Sequence, residues 1–137
     1  CEEGELGGVG WGGTGALLVE MDVACKRKGM VFELVTLTNP AQVHQGEEVR
    51  ENLRMALGVK DLFYPDRRLR EFAGAHGIGV TTLAPELADR AMREKVYMHG
   101  FPGGELGFGH WNPTGNRWVG ETIGREWCKE NTGNTPP

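Results

Sequence analysis

At 137 residues, with 39% hydrophobic and 25% charged residues, the chain has the size and composition of one ordinary globular domain, which excludes the disordered and fibrous classes. Its net charge of −4, from 15 Lys and Arg against 19 Asp and Glu, argues against nucleic acid as a partner, because phosphate binding draws on clustered cations. No apolar run approaches the roughly 20 residues needed to cross a bilayer, so no membrane span is expected.

Residues 1–15, CEEGELGGVGWGGTG, contain seven glycines and few apolar residues, and are expected to be a flexible segment. They lack the preceding strand and the terminal Lys-Ser/Thr of a phosphate-binding loop. Thr14 offers an N-cap for a helix to about Lys28, with Leu17, Leu18, Met21 and Cys25 on one stripe and Gly29 as its stop. MVFELVTL, residues 30–37, is an apolar run of strand length. GEEVRENLRMALG then reads as a helix closed by Gly58, and PDRRLREFAGAHG as a second helix opened by Pro65 and closed by Gly77. The RRLR run within it, Arg67 to Arg70, reads as a solvated helix face.

IGVTTL, residues 78–83, is a second strand, and Pro85 opens another helix. Strands alternating with helices indicate a parallel sheet covered on both faces. The expected fold is therefore α/β: three-layer α/β/α with a parallel, flavodoxin-like sheet. Two visible strands are few for such a sheet, so the chain reads as part of one. Residues 129–137 are polar enough to be a disordered tail.

The three cysteines, Cys1, Cys25 and Cys128, are odd in number and include no Cys-x-x-Cys pair, which fits neither a disulfide framework nor a zinc site. The histidines His44, His76, His99 and His110 include no His-x-x-x-His pair, so no metal site is expected. The compartment stays open, and a secreted or periplasmic location follows if a signal was removed upstream.

Residues 96–109, VYMHGFPGGELGFG, form a long glycine-rich loop of the kind that is more often functional than idle. It leads into His110. Pro113 suits the first turn of a following helix, whose stripe Val119, Ile123 and Trp127 would anchor it on the sheet. His110 then stands just ahead of a helix N-terminus, with Asn112 placed to cap the helix or fix the loop. Trp111 and His99 are candidates for contact with substrate.

GHWNPTGNRWVGETIGREWC resembles the last conserved block of the SGNH (GDSL-type) hydrolases, in which an Asp precedes a His by two or three residues and Asn, Gly and a helix follow. Upstream, LLVEMDVACKRKGMVFELVTLTNPAQVH and DLFYPDRRLREFAGAHGIGVTTLAPEL are similar in pattern to the alginate-acetylation-like branch of that family. The resemblance covers residues 16–128. It implies the C-terminal part of a serine esterase or O-acyltransferase, with an acyl-ester small molecule or O-acylated carbohydrate as its substrate and no metal or dissociable cofactor. It makes His110 the general base, a task that suits an imidazole titrating near neutrality, with Asn112 and Gly115 in support.

Two departures stand out. The positions two and three residues before His110 are Phe108 and Gly107, which leaves Glu105 as the nearest acid to orient the imidazole, with a backbone carbonyl as the other option. The chain also contains no serine, and neither the Gly-Asp-Ser block of the family nor its Gly-x-Asn-Asp block is present. Its threonines at 36, 38, 81 and 82 fall in or beside strands, where β-branched residues are expected anyway. The chain alone should then be inert. The rival expectation is a non-catalytic α/β binding or interaction module, and an incomplete sheet predicts self-association through its open edge.

Overall fold

The computed structural model describes residues 5–131. It is a mixed α/β structure, mostly helical, in the order α1 (Glu5–Lys26), β1 (Glu33–Thr36), α2 (Glu47–Leu57), α3 (Tyr64–His76), β2 (Gly79–Thr82), α4 (Ala84–Glu94) and α5 (Pro113–Asn131). The strands pair in parallel with Val35 opposite Thr81, and α2 and α3 make the crossover between them. No helix among the described residues is long and apolar enough to cross a membrane.

The stops lie where the sequence places them. Gly29, Gly58 and Gly77 all take positive φ, and at α2 and α3 the glycine N–H bonds back into the last helical turn. The first helix is the largest difference from expectation. It begins at Glu5, so residues 5–15 of the expected flexible segment are helical, and Thr14 lies inside the helix with its hydroxyl donating to the Gly10 carbonyl. Each glycine costs a helix about 1 kcal/mol against alanine. Tertiary contacts offset that here: Trp11 meets Tyr64 edge to face at 6.2 Å, Arg68 lies 5.0 Å over the Trp11 ring, and Gly15 lets Phe72 approach its backbone.

The packed stripe of α1 is Trp11, Gly15, Leu18 and Asp22, a spacing of four, three and four residues. Leu17 and Met21, expected on that stripe, are exposed. Asp22 is buried, and its carboxylate accepts from Lys26 one turn on at 2.7 Å. Residues 1–4 and 132–137 lie outside the described residues, and 129–131 of the expected tail continue α5.

The core joins β1, α4 and α5. Leu83, Ala84, Leu87, Ala88 and Ala91 pack with Val43, Met98, Trp118 and Val119, and Val35 of β1 lies against them. One residue along the strand, Thr36 donates to the buried Asp66 carboxylate of α3 at 2.7 Å. On α5 the core-facing residues are Gly115, Trp118, Val119 and Thr122, whereas Trp127 of the expected stripe is 58% exposed. The reason is geometric: steps of four on a 3.6-residue turn drift by roughly 40° each, so Trp127 has rotated off the face that Val119 occupies.

Candidate active site

The site is built at the start of α5. Asn112 is buried, its Oδ1 accepts the Gly115 N–H at 3.0 Å, and its Nδ2 donates to the Tyr97 carbonyl at 2.8 Å. One side chain thus caps the helix and ties it to the incoming loop. Gly115 is held against the same loop, where an added Cβ would stand 2.3 Å from the Met98 carbonyl oxygen. Gly115→Ala should therefore lower the unfolding free energy by about 1–3 kcal/mol, the cost of overpacking a contact that only the backbone can relieve. Urea unfolding checks this.

The loop before α5 folds back on itself. His99 and Trp111 form an antiparallel bridge, the Asn112 N–H donates to Met98 O at 2.9 Å, and the Gly100 N–H donates to His110 O at 3.0 Å. At its far end the Gly107 N–H donates to His99 O, and Gly107, at φ +88°, gives the His44 ring room to pack. The backbone of His110 is therefore fixed although its side chain is exposed.

Beside it lies a groove of about 440 Å³ lined by Leu37, Thr38, Pro40, His99, His110 and Trp111, with Gly109 and Asn116 completing the wall. Leu37 and Thr38 directly follow β1, so the groove sits at the carboxyl end of a parallel strand, where α/β folds place their ligands. Thr38 is central to it. Its Oγ1 accepts the Trp111 indole N–H at 2.8 Å and lies 3.1 Å from His99 Nε2, while His99 Nδ1 is 2.7 Å from the Gly109 carbonyl.

The structure brings His110, Trp111, His99, Asn112 and Gly115 together. Glu105 stands apart: it is exposed on the loop and makes no hydrogen bond to His110, and among the described residues no carboxylate bonds that imidazole. His99 is buried, with both ring nitrogens engaged inside the protein, and Trp111 spends its N–H on Thr38. The sequence sets Thr38 aside with the other threonines in or beside strands, since a threonine after a strand carries no signal of its own. Among the described residues no group of three or more His, Cys, Asp or Glu side chains is arranged to hold a metal ion.

Burial pushes the His99 imidazole below its usual range, opposed by its bond to the Gly109 carbonyl and helped by the neighbouring His110 charge. The unfolded chain then takes up this proton before the folded protein does. The stabilising contribution is complete above the unfolded value of about 6.5 and declines as pH falls below it toward the folded value. The drop in urea midpoint between pH 7.5 and 5.5 should be smaller in His99→Asn than in the unaltered chain.

Comparison with protein-family models, with curated proteins and with solved structures finds no match for this chain.

Proposed function

We propose that the chain is the C-terminal part of an SGNH-type (GDSL-type) serine esterase or O-acyltransferase acting on acyl esters, acetyl esters foremost, with His110 as its general base. The observation that carries this is the placement of His110: an exposed imidazole on a fixed backbone, one turn ahead of a capped helix, at the rim of a groove beyond a parallel strand. In this reading β1 and β2 belong to a larger three-layer α/β/α, flavodoxin-like sheet.

The nucleophile is a serine outside these 137 residues. His110 removes its hydroxyl proton as the oxygen attacks the acyl carbon, then returns the proton to the leaving alcohol, and water or a second hydroxyl repeats the cycle on the acyl-enzyme. Leu37, Pro40 and the Trp111 ring supply the apolar wall for an acyl group or the face of a sugar. No metal or dissociable cofactor takes part.

Among the described residues β1 pairs with β2 alone, and a larger apolar groove of about 560 Å³, lined by Leu34, Leu53, Leu57, Leu62 and Leu69 among others, runs beside it. An unpaired strand edge templates pairing with another strand. The isolated chain should self-associate with rising concentration, visible as an increase in sedimentation coefficient.

The absence of a carboxylate bonded to His110 favours a second reading, a non-catalytic α/β module that keeps the groove for carbohydrate or protein binding. Labelling of a longer polypeptide, extended upstream of Cys1, with a fluorophosphonate probe separates the two. The esterase reading expects one labelled serine, with labelling slowed in His110→Ala. A polypeptide that contains serines but takes no label would favour the binding module.

A further inference from the structure

We propose that Thr38 and His99 are positioning residues, forming with Trp111 a one-directional hydrogen-bond relay that ends on the Gly109 carbonyl and fixes the backbone on which His110 is carried. The inference rests on reading His110 as the general base, but the relay and its test stand apart from catalysis.

The direction follows from what each group can do. An indole N–H only donates, so Thr38 Oγ1 accepts from Trp111 and has its own hydrogen to give. A backbone carbonyl only accepts, so His99 Nδ1 carries a proton and donates it to Gly109 O. Nε2 of the neutral ring is then the acceptor for the Thr38 hydroxyl. One tautomer, Nδ1–H, satisfies all three bonds. A doubly protonated ring would aim a second donor at an oxygen already holding the Trp111 N–H, and would leave the Thr38 hydrogen to find another partner.

The relay also links parts of the chain that differ in origin. Thr38 follows β1, His99 belongs to the loop after α4, and Gly109 and Trp111 flank His110 on either side. The residue before the base and the residue after it are thereby both referred to the end of the strand. His99 is accordingly not a second base. Its nitrogens are occupied, and its task is to hold Gly109.

Two-bond nitrogen-15 spectra of the histidine rings in the 137-residue chain test this. His99 should be in the Nδ1–H form at neutral pH, with Nε2 unprotonated. Thr38→Ser, which keeps the hydroxyl, should preserve that signature. Thr38→Val should lose the Nε2 acceptor bond and raise hydrogen exchange of the Gly100 amide, which bonds His110 O, by up to about tenfold.

His99 in the Nε2–H form would overturn the relay, as would a Thr38→Val chain whose His99 shifts and Gly100 exchange match the unaltered chain. If Thr38→Val does not fold, the tautomer of the unaltered chain together with Thr38→Ser decides. In a catalytically active longer polypeptide, Thr38→Val should lower kcat with little change in KM, and Thr38→Ser should restore it. Loss of esterase activity as a reading would leave the spectra as they are.

Discussion

In a polypeptide that carries both this chain and its serine, His110→Ala should lower kcat for p-nitrophenyl acetate by about 10²–10⁴-fold with KM little changed, the usual worth of a general base acting in the transition state. The same substitution should leave the unfolding free energy within about 0.5 kcal/mol, because the His110 side chain is exposed and the hydrogen bond that fixes the residue uses its backbone carbonyl. Steady-state kinetics and thermal unfolding of the same sample read both quantities. A kinetic loss that comes with an equal loss of stability would make His110 a structural residue.

The second large effect belongs to the core. Trp118 is fully buried between α4 and α5, with the Arg90 guanidinium 4.2 Å from its ring centroid. Trp118→Ala should cost about 3–5 kcal/mol, from lost burial and the cavity left behind. Trp118→Phe should cost distinctly less, because the Trp118 indole N–H is buried without a hydrogen-bond partner and its removal takes away an unmet polar group along with the extra ring. Urea unfolding of the two variants measures the difference. Equal costs would mean that the Phe ring recovers none of the lost packing.

Helix ends were the most legible part of the fold. Gly29, Gly58 and Gly77 announce a left-handed turn because no other residue takes positive φ so freely, and Pro65, Pro85 and Pro113 announce first turns because their missing N–H is not needed there. The two strands and their parallel pairing were legible from β-rich runs separated by helices. What composition hid was α1, where a run of glycines reads as loop but is held helical by Trp11 and Phe72. No local pattern reports a contact with a ring more than fifty positions away in the chain.

The site divides in the same way. His110, Asn112 and Gly115 lie within six residues of one another, and their roles around a helix start can be argued from spacing. Thr38 comes to them only through folding, from the other end of a crossover connection. His99, which sequence alone places at the substrate, does line the groove, but both its ring nitrogens are bonded within the protein, to partners that no local pattern announces. The Glu105 carboxylate had proximity in sequence to recommend it, but it is exposed and makes no hydrogen bond to His110.

The coding sequence directly upstream of Cys1 tests most simply whether His110 serves a serine esterase. An apolar run of strand length followed within a few residues by Gly-Asp-Ser is the expected result. An initiator methionine a few codons before Cys1, with no such block in the reading frame, would contradict it.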